Sequence, residues 1–472
     1  MIEKSTIVFC VPSMLGVASS TLGIAKDLRR LGHRVLYCGF ADGQEFFQKN
    51  GFDFVPIFPF PNSSIHLLAM LVKALSLRDI TSLPSRIRNY IHAVREIRRM
   101  INDLLQGRDK SYERFIDASS PELFIISSCV FDNMLWALLA HSRGIPFLYL
   151  SDSIDRPVDS GVPPVTSRII PGSGWLNKAM IFFAWRKMFL SRGIIKVASR
   201  LFGVRTVYLV RQFAGQYGYP LSKLDERYVI PRLTAPDLML WPREFDFSGK
   251  KPLDDRYYVG PCLDLARNQP SFPWDQVDDK KPMVYCALGS LTGSRESRRK
   301  RFLRAVVQAA SLSQEIQWVV AIGSRLKESD FAPIPENVIL VQEAPQLEIL
   351  RKASLMISHG GANTVRECLF FGVPMVLFPM FFDHPGCAAR VEYHGIGLSG
   401  DIRRSSSRAI LKMVLTVLAD PSYKRRAQQM QRHWHEIQRQ APAAGLIGSM
   451  IEKRWSYIKS DDGRHLSDAR RI

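Results

Sequence analysis

The stretch Leu355–Arg390, LMISHGGANTVRECLFFGVPMVLFPMFFDHPGCAAR, decides how the rest of the chain is read. It opens on a short apolar strand, Leu355 to Ser358, which ends at His359 and the pair Gly360-Gly361. A helix-forming run, Asn363 to Phe371, follows, and Gly372 stops it. A second apolar strand, Val373 to Pro379, leads to Asp383-His384-Pro385. Strand, glycine turn and helix put backbone N–H groups and the positive end of a helix dipole where a phosphate can sit. Lacking a Cβ, the glycines let an anion approach the backbone. His359 falls at the strand's C-terminal end, the edge at which open α/β sheets bind ligands. Asn363 and Thr364 suit helix capping or contact with phosphate oxygens. Glu367 lies one turn further along the same face. A carboxylate there either accepts from a diol such as a ribose or only complements the helix N-terminus.

Outward from this stretch the chain repeats one pattern. Met283 to Leu288 reads as a strand closed by the tight turn Gly289-Ser290, whose serine is a second candidate phosphate contact. Trp318 to Ile322 and Val338 to Val341 are further strands, and Pro345 to Lys352 is a short helix. In the first half, Ile7 to Val11, Arg34 to Gly39, Phe52 to Ile57, Leu123 to Ser127 and Pro146 to Leu150 read as strands, with Thr21 to Leu31 a helix. Strand–helix–strand at this spacing predicts parallel α/β layers. Between the halves, about Trp241 to Pro282, proline, aspartate and glycine give linker character.

Pro345-Gln346, His359-Gly360-Gly361, Asn363-Thr364, Glu367, Gly372-Val373-Pro374 and Asp383 together resemble the donor-sugar signature of nucleotide-sugar-dependent glycosyltransferases. That group includes plant UDP-glycosyltransferases, macrolide glycosyltransferases and bacterial zeaxanthin glucosyltransferases. The resemblance implies the GT-B fold, an α/β architecture of two Rossmann-like domains facing a central cleft. On it, residues 1–245 are an acceptor-binding domain, 246–282 a linker, and 283–440 the nucleotide-sugar-binding domain. Residues 441–472 are then a helix returning towards the first domain and a tail. By resemblance Ser290, His359 and Thr364 contact the diphosphate, with Gly361 and Asn363 in the same turn. Glu367 takes the ribose, Gln346 the nucleoside and Asp383 the sugar hydroxyls. His384 stands where relatives commonly carry glutamine. No metal and no cofactor beyond the donor itself is implied.

The chain departs from the family in the acceptor half. The position of the family's catalytic histidine, in the loop after the first strand, is Val17, and its supporting aspartate falls at Ser127 or Ser128. Asp132, Asp152 and Asp155 are alternative bases near strand ends, with capping or turn formation as the plain alternative. The expected activity is inverting transfer of a hexose from a UDP- or TDP-sugar to a hydroxyl of a lipophilic acceptor. The alternative is a catalytically impaired sugar-nucleotide-binding protein that assists another enzyme.

Bulk properties set the partners. With 472 residues, 46% apolar and 23% charged, the chain has the make-up of a globular protein of several domains. Seven cysteines without zinc-site spacing suggest free thiols and a cytoplasmic location. A net charge of +20 calls for an anionic partner, yet no nucleic-acid-binding motif is present. From Asp159 to Asp225 no acidic residue intervenes, and Trp175 to Leu190 mixes Trp, Phe and Met with Lys and Arg. That mixture describes a helix lying on an anionic membrane surface, or a buried helix with a solvated back. Ile65 to Leu77 and the basic stretch Arg86 to Arg114 are further helical insertions.

Overall fold

The computed structural model describes residues 5–58, 99, 103, 106–128, 133–154, 158–159, 161–201, 206–225, 232–248, 255–289 and 296–452. Ser290, Asp132, Asp155, the insertion 65–77 and much of 86–114 lie outside the described residues.

Two parallel sheets form the framework, as the α/β expectation required. The first half contributes β1 (Thr6–Cys10), β2 (Arg34–Phe40), β3 (Asp53–Phe58), β4 (Leu123–Ser127), β5 (Phe147–Ser151), β6 (Asp237–Met239) and β7 (Arg256–Tyr258). They lie in the order β3-β2-β1-β4-β5-β6-β7. The second half contributes β8 (Met283–Ala287), β9 (Gln317–Ala321), β10 (Val338–Val341), β11 (Leu355–Ser358), β12 (Met375–Leu377) and β13 (Gly397–Ser399). Their order is β10-β9-β8-β11-β12-β13. Strands such as β4 and β11 are buried along their whole length. This is the consequence of helices on both faces and the reason they read as unbroken apolar runs. Each sheet reverses its winding once, beside β1 and β4 in the first and beside β8 and β11 in the second. Such a reversal opens a crevice at the carboxyl ends of the strands.

Some boundaries differ from the sequence expectation. The first helix spans Leu15–Arg30, six residues ahead of the expected start at Thr21. Its early serines are satisfied within the helix: Ser19 donates to the Gly16 carbonyl at 3.2 Å and Ser20 to that of Val17 at 2.6 Å. Hydroxyls that bond back in this way let a small-residue segment that resembles a loop continue as helix. The span 246–282 contains β7, which extends the first sheet beyond β6. Six described cysteines, Cys10, Cys38, Cys262, Cys286, Cys368 and Cys387, are unpaired.

The halves meet through packing and charge. Met239, Trp241, Phe245 and Leu263 share one apolar core with Met356, Leu369 and Trp434 of the second half. Arg390 donates to Asp246 at 2.7 and 3.0 Å with both side chains buried, and Lys26 pairs with Asp264 at 2.6 Å. Ala443, Ala444, Ile447 and Met450 of the helix Pro442–Glu452 pack into the first half's core with Phe9 and Leu22.

Candidate functional site

The site is built at the carboxyl edge of β11. Ser358 ends the strand fully buried, and its hydroxyl lies 3.1 Å from His359 Nδ1 and accepts from the Gly360 N–H at 3.3 Å. The chain then turns at Gly360, whose φ of +83° is left-handed, and enters the helix Ala362–Phe370. Among the described residues no side chain caps that helix and no acid occupies its first turn, so its leading N–H groups lack a competing anion. This is the arrangement that attracts phosphate.

Two glycines hold the His359 ring. A Cβ on Gly361 would come within 2.5 Å of His359 Nε2, and one on Gly289, after β8, within 2.7 Å of Cε1. Burial, with Arg299 nearby, pushes the His359 imidazole down to about 4. The ring is therefore neutral at pH 7 and can offer one N–H to an oxygen. Below it His384 meets it edge to face, with centroids 4.5 Å apart. His384 is buried, and among the described residues its Nδ1 has no hydrogen-bond partner. Asp383 precedes it as the N-cap of the helix His384–Tyr393.

One turn into the helix Ala362–Phe370, Glu367 is buried, with both carboxylate oxygens engaged. Arg267 donates Nη1 to Oε1 at 2.5 Å and Nη2 to Oε2 at 3.1 Å. Gln346 donates to Oε2 at 2.6 Å and accepts from the Tyr285 hydroxyl at 3.4 Å. Glu367 and Gln346, which the sequence linked to ribose and nucleoside, thus form one cluster. Arg267 was missed, because a basic residue in a proline-rich connection has no periodic or motif signal. Arg299 was also missed. It is buried, donates to the Gly289 carbonyl at 3.0 Å, and places a cation beneath the turn after β8. The basic run Arg298-Arg299-Lys300-Arg301 was its available signal.

Asn363 is engaged elsewhere. Its amide reaches across to the first half, donating to the Gly16 carbonyl at 2.6 Å and the Ser19 hydroxyl at 2.9 Å. Its carbonyl oxygen accepts from Arg366, a buried guanidinium that also donates to the carbonyls of Leu240 and Pro261, both at 3.2 Å. The signature helix is thereby tied to the first turn of the helix Leu15–Arg30. Thr364 is half-buried beside it.

On the opposing half, Val17 is buried in the first turn of Leu15–Arg30. Ser127 is buried, while Ser128 is exposed and hydrogen-bonded to Ser151 at 2.7 Å. Ser151 donates on to Asp237 at 2.7 Å. Burial pushes the Asp237 carboxyl up, but Arg256 and Arg232 outweigh it and hold the group below its usual range. Asp152, just past β5, is pushed up by burial against the opposing pull of Arg366. Among the described residues no group of three or more His, Cys, Asp or Glu is arranged to hold a metal ion.

Comparison with known proteins gives the family and the fold. The family model described as UDP-glucoronosyl and UDP-glucosyl transferase matches residues 109–442. The NDP-glycosyltransferase YjiC of Bacillus licheniformis is 30% identical over 264 residues, covering 50% of this chain and 65% of that protein. The zeaxanthin glucosyltransferase of Pantoea ananas is 28% identical over 190 residues, covering 40% of this chain and 43% of that one. Neither alignment spans two thirds of the relative's length. Among solved structures, the glycotransferase of kitacinnamycin superposes with a TM-score of 0.68 at 19% identity, over 95% of this chain and all of that one. The fold is therefore GT-B, and the chain belongs to the UDP-glucoronosyl and UDP-glucosyl transferase family.

Proposed function

We propose that this chain transfers a hexose, with inversion and without a metal, from a UDP- or TDP-sugar to a hydroxyl of a lipophilic acceptor. The observation that carries the donor side is the uncapped helix N-terminus beside His359, with Glu367 and Gln346 one turn below. A diphosphate at that terminus meets open N–H groups, the helix dipole and a neutral imidazole donor, with the Arg299 cation behind the turn. These groups favour the charge that grows on the departing diphosphate as the anomeric carbon is attacked. The buried, unpartnered Nδ1 of His384 is a polar atom suited to a hydrogen bond from or to the donor.

The attacking hydroxyl also has to lose a proton. Taking Val17 as the position of the family's histidine, we assign that proton to Asp152, which lies just past β5 on the first half and whose carboxyl burial pushes up. A positioned base supplies about 10²–10⁴-fold. Asp152→Asn should therefore lower kcat by about that factor and leave nucleotide affinity unchanged. The lipophilic acceptor draws support from the apolar-basic helix Trp175–Leu201 that follows β5. The zeaxanthin relative's name points the same way.

A donor-by-acceptor screen with product mass detection tests the reading. Nucleotide release and a mass gain of one hexose on a hydrophobic alcohol are expected. UDP binding with background release throughout the screen would instead favour a sugar-nucleotide-binding protein without turnover. If neither UDP nor TDP binds, the donor-site reading fails.

A further inference from the structure

The helix Trp175–Leu201 presents a face that the described fold leaves uncovered. Ile181, Trp185 and Met188 attach it to the protein, packing with Ile169, and Trp185 Nε1 donates to the Val162 carbonyl at 2.8 Å. Their spacing of four and three residues defines one side of the helix. On the opposite side Trp175, Leu176, Phe183 and Leu190 are 75%, 61%, 66% and 68% exposed. Lys178 and Lys187 border that side, and Arg186 lies within it, its guanidinium 5.5 Å above the Phe182 ring. A run of exposed apolar side chains along one side of a helix marks an interaction site.

The charges select the partner. Residues 160–224 contain no Asp or Glu, and the whole chain carries +20. A second copy laid face to face would set Lys178, Arg186 and Lys187 against their own equivalents, so self-pairing is opposed. Aromatic rings flanked by long basic side chains suit the boundary between headgroups and acyl chains, where the stems lie along apolar surface and the cations reach anions. No described helix is long and apolar enough to cross a membrane, so contact through this face would be along the surface. We propose that the exposed face of 175–190 docks the protein on an anionic lipid surface.

The segment leading into the helix also touches the donor half. Arg168 donates to the carbonyls of Gly400 at 3.3 Å and Ser399 at 3.1 Å. Val165 fills the space where a Cβ on Gly386 would fall 2.6 Å away, and Gly386 belongs to the helix that Asp383 caps. The helix therefore starts a few residues from a segment that bridges to the donor half. Given the proposed function, this places a membrane-dissolved acceptor beside the cleft.

Flotation of the full chain with phosphatidylcholine vesicles, with and without phosphatidylglycerol, tests the docking. Binding is expected only with phosphatidylglycerol and should weaken as salt is raised. Neutralising Lys178, Arg186 and Lys187 to Gln should lower it about a hundredfold, from about fivefold per cation at such a surface. Phe183→Ser with Leu190→Ser should also release the protein. In both variants the UDP-induced melting shift should stay at the wild-type value, which separates this proposal from the donor-site reading. The proposal is overturned if the anionic vesicles are not bound, or if neither set of substitutions reduces binding. Ultracentrifugation showing that the same substitutions dissociate a dimer would also overturn it.

Discussion

Glu367 carries three hydrogen bonds at the site, and they set a quantitative test. A carboxylate has about four acceptor positions. Arg267 fills two and Gln346 a third, while a ribose diol asks for two. Nucleotide binding must therefore displace at least one bond. Arg267 is the partner able to leave, because its side chain is 27% exposed against 3% for Glu367. Glu367→Ala should weaken UDP by about 10- to 150-fold, the equivalent of a charge-assisted hydrogen bond of about 1.5–3 kcal/mol. It should also cost stability, but less than the 3–5 kcal/mol of a sealed ion pair, since Arg267 can turn into water. Arg267→Ala should act in the opposite direction on affinity. It leaves a buried carboxylate short of donors in the free protein, and the ribose hydroxyls then supply what is missing. Titration calorimetry with UDP on wild type, both single variants and the double variant measures the coupling. Wild-type affinity in Glu367→Ala would refute the ribose assignment. An Arg267→Ala loss equal to that of Glu367→Ala would show that Arg267 contacts the nucleotide itself.

Three further outcomes are expected. Gly361→Ala keeps an ordinary backbone conformation at φ −65° but drives a methyl into His359 Nε2, so UDP affinity should fall about tenfold and stability by about 1–3 kcal/mol. Because burial holds His359 near 4, below the unfolded value of about 6.5, the unfolded chain protonates first and stability falls as pH drops through that window. Between pH 7 and 5 the loss from this group is about 2 kcal/mol by denaturant unfolding, and His359→Asn should flatten it. Asn363→Ala removes the bonds to Gly16 and Ser19 and takes a partner from buried Arg366. Limited proteolysis should then cleave faster between the halves, at a stability cost of about 1–3 kcal/mol.

What the sequence made legible follows from how local each signal is. β8, β9, β10 and β11 are apolar runs closed by turn residues, so a short window sufficed. β6 and β7, three residues each, are hidden among prolines and charges and become strands only because the sheet edge at β5 accepts them. The start of the first helix was misplaced because Gly16, Ser19 and Ser20 carry turn character until their hydroxyls bond backwards. That Glu367 and Gln346 meet, and that Gly361 lies against His359, is in keeping with the spacing read from the sequence. Arg267 was not legible, as it meets Glu367 across 100 residues of chain. The role of Asn363 across the cleft was likewise beyond any local pattern.

The route of the backbone carries a mechanical consequence. The chain passes between the halves twice, once after β7 and once between the helix Pro421–Gln440 and the helix Pro442–Glu452. The two passages are fastened together: the Gln438 side chain accepts from the Leu263 N–H at 3.0 Å and donates to the Leu263 carbonyl at 3.1 Å. Two bodies joined by two adjacent, mutually pinned threads keep a rotation about the line through them and lose sliding and separation. Any opening of the cleft then turns about the pin and has to part the bonds that bridge the halves elsewhere, from Asn363 to Gly16 and from Arg168 to Ser399. The motion would survive loss of the Gln438 bonds only with its axis blurred.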